Sequence, residues 1–549
     1  MSFEVVERDL LGRIGRLKTK RGLVETPLLL PVVNPSIQPI FPEEMRRDFG
    51  CEALIVNAYL LKKNFGEEVK ARGIHDFLKF DRVIVTDSGA YQILVYGEVD
   101  TTPEEIARFE EEIDTDVAVI LDVPTGWNTR RERAEYTVTE TIRRARLTLD
   151  SLTRKDILWV GPVQGGNCLD LVAHSAAEVG KMPFQIHALG SPTQVMERYL
   201  FNILVDMIMT AKKNLPMERP LHLFGAGHPF MLSLAVATGC DIFDSAAYAI
   251  YARQGKYMTE YGTVRLRDLD YFPCSCKMCS KYTPLELGEA SPQERMKLLA
   301  QHNLETCFVE IKRIKQAIRE GRLWELLEIR ARNHPSLLQA LKSLRKYEEY
   351  MEAYSPISKE RGLFYFDSTG LARPEIVRHR IRLREWSPPE KYRILVLLPQ
   401  PTSKPFHRSR EYKRILKLLD RSLGETFSQV HICTYAAPFG VIPYELEEVY
   451  PLSQFEAALP PDMETIEYVA ERVEDYITDQ KHKYEAVVLH YDMTNFGKSI
   501  SEACRKACSK TRINFLPSTC VEKTWSKKAL EDLADTVSKI VRASHWPKM

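Results

Sequence analysis

Eight short apolar runs punctuate the first 250 residues of the chain: "TPLLLPVV", "EALIVNAYLL", "RVIVTDSGA", "VAVILDVPTG", "ILWVGPVQGG", "FQIHALGS", "PLHLFGAG" and "CDIFDSAA". Each closes on a polar or glycine-containing turn, and most are followed by a segment of helical period. Continuous apolar strands that alternate with helices belong to a parallel sheet covered on its outer face. Eight such units in so short a span predict a closed (β/α)8 TIM-like barrel rather than an open sheet. Asp87, Asp122, Gln164, Ser191, His228 and Asp244 all stand at or just past the carboxyl ends of their runs. In a barrel those ends converge on one rim, where such folds carry their chemistry.

The remaining length requires more than one core, because 549 residues exceed an ordinary single domain. The sequence reads as a barrel over 1–345, a linker or small strand element over 346–390 that ends near Pro388 and Pro389, and a C-terminal α/β domain over 391–549. The last part opens with "YRILVLLP" and closes with a helix near 527–543. A helix over 291–321 is marked by Ser291 as N-cap, Pro292 at the first position, Glu294 closing a capping box and Gly321 as the stop; Thr102, Pro103 and Glu105 start another in the same way.

Apolar residues make up 44% of the chain and charged residues 28%, a globular balance without a disordered majority. The apolar runs fall well short of the ~20 residues of a membrane helix. The N-terminus alternates charge and apolarity and does not read as a secretory signal, so a cytoplasmic location is expected. The net charge of +1 means that a nucleic-acid partner would be held by local patches.

Of 11 cysteines, three crowd into "FPCSCKMCS": Cys274, Cys276 and Cys279. Thiolates at this spacing can converge on one tetrahedral zinc ion, with a fourth ligand from elsewhere. His302, in the 291–321 helix, is the leading candidate and Cys307 the rival. Three unrelated core thiols, with His302 buried beside Leu298, Leu299 and Val309, are the plainer alternative.

Asp87 ends the third run, and Ser88, Gly89 and Tyr91 follow in a turn that lets backbone approach a ligand, although Asp-Ser-Gly also serves as an ordinary turn. Asp244 ends the eighth run. Two carboxylates across one mouth suit substitution at an anomeric carbon: one attacks to form a glycosyl-enzyme and the other shuttles the proton. Asp122 and Gln164 carry the donors and acceptors needed to read the edge of a purine-like base.

Together, "DSGAYQ", "DVPTG", "VQGG", "HALGS", "FGAGHP", "DIFDS" and "CSCKMC" followed by "HN" resemble the tRNA-guanine transglycosylase family in its archaeal form, over about residues 10–320. The resemblance implies a zinc-containing barrel that removes guanine from tRNA and inserts a 7-deazaguanine. Carried over position by position, it makes Asp244 the nucleophile at the ribose and Asp87 the general acid/base. Asp122, Gln164, Gly190 and Ser191 would bind the base, with Ser88 assisting and Tyr91 stacking. Cys274, Cys276, Cys279 and His302 would hold the zinc.

Bacterial members have Gly-Gly at Gly190–Ser191, and a Pro-Thr-Arg segment where this chain reads "SAAYAIYARQGK". The second departure speaks against anticodon-loop recognition. The archaeal branch implies guanine 15 of the D arm as the target and 7-cyano-7-deazaguanine as the incoming base, on the way to archaeosine. Family members are often homodimers, whereas the sequence itself does not reveal an oligomeric state. Archaeal relatives commonly end in a PUA domain, which this sequence does not show; a separate PUA-containing subunit would then supply it.

The stretch "PQPTSKPFHRSREY" at 399–412 resembles the lysine-containing motif of archaeosine synthase. Lys404 and Pro405 are kept, whereas Gln400 stands for the family's cysteine and Tyr412 for its histidine. This degenerate copy implies a retained fold without activity, in a tRNA-docking or spacer role. The intact pair Asp87 and Asp244 favours transglycosylation over two alternatives, an archaeosine synthase acting on the nitrile of the inserted base and a non-catalytic tRNA-binding partner subunit. For RNA contact, "VRHRIRLR" would place Arg378, Arg380, Arg382 and Arg384 on one face of a strand, although a solvated arginine face explains the pattern as well.

Overall fold

The computed structural model describes residues 2–90, 100–518 and 523–543. All eight apolar runs are strands: β1 (Leu28–Val33), β2 (Ala53–Asn57), β3 (Val83–Asp87), β4 (Val117–Val119), β5 (Leu158–Val163), β6 (Ile186–Leu189), β7 (Leu221–Leu223) and β8 (Ile242–Ser245). They form a closed barrel in chain order, with β8 pairing β1. Every barrel pairing is parallel. Inward-facing Leu30, Ile55, Val85, Val119, Val160 and Ile242 fill the interior, so the barrel is a packed core and its chemistry is confined to a rim.

The other end is closed by an antiparallel sheet of Phe3–Asp9, Gly12–Thr19 and Gly22–Thr26, whose Phe3, Leu17 and Val24 join the interior cluster. Arg13 fixes this floor. Its guanidinium grips both carboxylate oxygens of Asp241, just ahead of β8, at 2.7 and 2.9 Å. Asp241 also accepts the amide of Leu221 at the start of β7. Burying this pair without its partners would be costly, and the fork geometry satisfies both ions.

Helix α1 (Pro292–Arg319) starts as its sequence predicts: the Ser291 hydroxyl accepts the Glu294 amide at 3.3 Å. Only this forward half of the expected capping box is formed. At Thr102 both halves are present, through the Glu105 amide and the Glu105 carboxylate.

The chain divides into one compact unit of residues 1–347 with 354–356, and another of 348–353 with 357–549. The second unit is built on a five-stranded sheet. Strands β9 (Ile394–Pro399), β10 (Val430–Ala436), β11 (Gly440–Pro443), β12 (Ala486–Leu489) and β13 (Asn514–Pro517) run in the order β11-β10-β9-β12-β13, with only β11 antiparallel. Within 346–390, Leu363–Tyr365 pairs in parallel with Phe455–Ala457, and Leu363, Tyr365, Leu371, Ile376 and Leu383 pack into this unit's core.

The strand expected at "VRHRIRLR" is instead the helix α2 (Pro374–Glu385). Pro374 at the first position presets a helical φ, and the buried Ile376 and Leu383 lie two turns apart on one face. A short arginine–apolar alternation fits either period, and here the proline decides. The expected row of guanidinium groups is therefore not formed. Arg378 is buried against Glu352 at 2.6 Å, Arg380 pairs with Glu348 at 2.7 Å, Arg384 approaches Asp475 at 3.6 Å, and Arg382 is exposed elsewhere on the helix. Among the described residues, no helix is long and apolar enough to cross a membrane.

Candidate active site

The carboxyl ends of the barrel strands surround a cavity of about 670 Å³, and Asp87, Asp122, Gln164, Gly190, Ser191, His228 and Asp244 all line it. The two aspartates from distant parts of the chain thus face one space. Asp87 is the last residue of β3 and lies opposite Asn57 in the register of β2. Asn57 bridges two elements: its Oδ1 caps the following helix by accepting the Leu60 amide at 2.8 Å, and its Nδ2 donates to Asp87 Oδ2 at 3.3 Å.

Asp244 is held more tightly. His222, buried on β7, donates from Nε2 to Asp244 Oδ1 at 2.8 Å, and the Gly225 amide donates to the same oxygen at 2.9 Å. Gly225 has φ +68°, a region that glycine enters without strain, which aims its N–H at the carboxylate. Oδ2 has no hydrogen bond among the described residues, so it is the oxygen available to a substrate. Burial pushes the Asp87 carboxyl up to about 7, and the like charges of Asp244 and then Asp122 add to the effect.

Asp122 and Gln164 form a second, buried group. Gln164 Nε2 donates to Asp122 Oδ2, while Gln164 Oε1 accepts the Thr125 amide at 2.8 Å and the Ser191 hydroxyl at 3.1 Å. The amide is thereby locked in one orientation. A Cβ at position 190 would lie 2.1 Å from Gln164 Nε2, so only glycine leaves room there. Ser191 adopts φ +62°, which its hydrogen bond to Gln164 helps to hold. Asp122 is pushed up to about 6 by burial, with the Gln164 bond and Arg144 pulling the other way.

Ser88 behaves differently from the sequence expectation. Its side chain is fully buried and donates to the Ile120 carbonyl at 3.0 Å, tying the turn after β3 to the chain after β4. It does not line the cavity. Tyr91 lies outside the described residues.

Away from the cavity, Cys274, Cys276, Cys279 and His302 bring their ligand atoms within 4.8 Å of one another. The fit to a metal ion is specific. His302 Nδ1 lies 3.4 Å from both Cys276 and Cys279 Sγ, and Nε2 donates to the Met258 carbonyl at 2.9 Å, which fixes the tautomer that leaves Nδ1 as a ligand. The Cys276 and Cys279 amides point at Cys274 and Cys276 sulfur, and Tyr257 stacks on the imidazole at 3.7 Å. The rival Cys307 stands outside this group and is buried, with its thiol pushed up to about 12. Next to His302 in sequence, Asn303 accepts the Met258 amide and donates to the carbonyls of Tyr248 and Lys256, bracing the antiparallel hairpin of Lys256–Thr259 and Gly262–Arg265.

Sequence reasoning alone passes over His222 and Asn57. Each sits near the end of an apolar barrel strand, one strand before the aspartate it touches, and that position is the available signal.

In the second unit, the positions of the lysine motif are used in packing. Gln400 accepts the Ala437 amide at 3.0 Å, Tyr412 is buried with its hydroxyl against Thr434, and Lys404 Nζ lies 4.4 Å from the centre of the Phe455 ring.

Comparison with known proteins agrees in extent with these two units. Residues 9–336 match the family described as Queuine tRNA-ribosyltransferase, and residues 376–537 match a domain of unknown function, DUF5591. A tRNA-guanine(15) transglycosylase of Pyrobaculum aerophilum is 44% identical over 83% of this chain and 90% of its own length. One from Methanocaldococcus jannaschii is 42% identical over 83% of this chain and 68% of its own. One from Methanococcus maripaludis strain C5 is 36% identical over 96% of this chain and 80% of its own.

Proposed function

Because the chain belongs to the Queuine tRNA-ribosyltransferase family, we propose that it exchanges guanine 15 in the D arm of tRNA for 7-cyano-7-deazaguanine. The observation that carries this reading is the meeting of Asp87 and Asp244 in one cavity beside Asp122 and Gln164. Asp244 Oδ2 attacks the ribose anomeric carbon as its bond to guanine breaks, leaving an aspartyl-ribosyl intermediate. Asp87 gives its proton to the departing base, then takes one from the incoming base as that base displaces Asp244. Two inversions retain the configuration at the sugar.

Base reading follows from the locked pair. The Asp122 carboxylate accepts the ring N–H and amino donors of a guanine-type edge, and Gln164 holds it in place. Cys274, Cys276, Cys279 and His302 would hold zinc, which when bound supplies structural cross-linking between the 256–265 hairpin, the cysteine loop and α1. The wider assignment is a cytoplasmic homodimer. The C-terminal unit, its motif residues absorbed into packing, serves tRNA docking or spacing.

The test is incubation with an unmodified tRNA transcript and 7-cyano-7-deazaguanine, followed by nuclease mapping. The reading requires one altered nucleotide, at position 15. An anticodon-loop change, or no change, rejects it.

The raised Asp87 value sets two pH effects. On the free enzyme Asp87 must be protonated to release guanine, so kcat/KM for tRNA is expected to fall about tenfold per unit above pH 7, and Asp87→Asn to remove that limb at an overall loss of roughly 10²–10⁴-fold. For stability, the folded chain binds this proton more tightly than the unfolded chain does. The contribution is full below the ordinary value of 3.8 and is lost as pH rises through about 7. Asp87→Asn is therefore expected to raise the thermal midpoint at pH 8 and to change it little at pH 4, as read by calorimetry.

A further inference from the structure

The cavity is larger than one base requires, near the middle of the ~300–1,000 Å³ range of pockets that enclose whole drug-sized ligands. Its excess volume is walled by aromatic rings that the exchange reaction does not use. Tyr199 is the most unusual of them. It holds φ +57°, a genuine outlier for a bulky aromatic residue, and the residue is 47% exposed. The ring is nonetheless fixed. It stacks on His334 at 4.7 Å, and Phe230 backs it at 6.1 Å. His334 is itself immobilised, since its Nδ1 accepts the Ser336 amide at 3.2 Å as a helix cap.

This wall is continuous with the catalytic one. Phe230 packs edge-on against His228 at 4.5 Å, and His228 belongs to the loop whose Gly225 amide holds Asp244. His228 Nε2 also meets Thr263 Oγ1 at 2.9 Å, tying in the 256–265 hairpin, whose tip residue Tyr261 is 67% exposed and lines the same cavity. An exposed aromatic ring held rigid on a cavity wall, as that of Tyr199 is, fits a flat, unpaired base. An enzyme that works on an extruded base leaves its neighbours without their stacking partner.

We propose that Tyr199, with Tyr261 lining the same cavity, is a stacking shelf for the nucleobase adjacent to the exchanged nucleotide in the tRNA strand. The proposal rests on the tRNA reading above and adds a positioning site to it. The shelf holds the strand so that the flipped nucleotide stays over Asp244.

Steady-state kinetics with two varied substrates test it. Tyr199→Ala is expected to raise KM for the tRNA transcript about 5- to 100-fold while leaving kcat and KM for free 7-cyano-7-deazaguanine unchanged, and Tyr199→Phe to behave as wild type. Transcripts with an abasic site on either side of the target nucleotide provide the second arm. On one side the missing base is expected to cost wild type a similar factor and to cost Tyr199→Ala nothing more. Tyr261→Ala, at a hairpin tip, reports in the same way if Tyr199→Ala does not fold. An unchanged tRNA KM in both variants, an effect on the KM of the free base instead, or equal abasic penalties in wild type and variant would each overturn the shelf. Wild-type failure to exchange any base would overturn the parent reading as well, whereas normal exchange with indifferent variants rejects the shelf alone.

Discussion

Asp244→Ala is expected to reduce base exchange on the order of 10⁴-fold or more, with tRNA binding retained. The geometry explains why so large a loss should follow from one carboxylate. His222 and the Gly225 amide both bind Oδ1, which fixes the plane of the group and leaves Oδ2 facing the cavity. A nucleophile held in this way has little orientation left to lose on the way to the transition state. Asp244→Asn is the sharper variant, because it keeps the shape and removes the attacking oxygen's charge. Exchange of labelled guanine into a transcript measures the loss, and filter binding of the same transcript shows whether the fold and docking survive. Either variant exchanging at wild-type rate would remove Asp244 from the reaction.

The second large effect is expected at the cysteine cluster. Cys276→Ala, or removal of metal by a strong chelator, is expected to lower the thermal midpoint on the order of 10 °C and to abolish exchange with it. Cys276 is buried beside His302 Nδ1, so deleting its sulfur leaves the metal site one ligand short and three elements without their common anchor. The hairpin at stake carries Met258, whose carbonyl orients His302 and whose amide is held by Asn303. Metal content per chain, by atomic emission, should be one zinc in wild type and in Cys307→Ala and none in Cys276→Ala. Zinc retained without Cys276, or lost without Cys307, would reassign the ligands.

The barrel is legible in the sequence because most of its strands are apolar on both faces and bounded by turn residues, a pattern that leaves little choice of period. Its floor is harder to foresee, since it depends on Arg13 meeting Asp241 across 228 positions of sequence. At α2 the alternation misleads, because eight residues fit two periods and the preceding proline carries the decisive information. The aspartates, Gln164 and the Cys-Cys-Cys-His group stand in short recognisable stretches. Their supports do not: His222 and Asn57 act across neighbouring strands, and such pairs exist only once register is set. Ser88 shows the converse, a residue in a suggestive motif whose hydroxyl is used to join two loops. Tyr199 has no sequence signal, because its backbone conformation and its stacking on His334 are both tertiary.

The most direct measurement is to quench the wild-type reaction with tRNA in denaturant, isolate any protein–RNA adduct by electrophoresis, digest both polymers and locate the ribosylated residue by mass spectrometry. The account predicts one modified peptide bearing the sugar on Asp244, and none from Asp244→Asn. An adduct on Asp87, or exchange that proceeds at full rate with no adduct at any time, would contradict it.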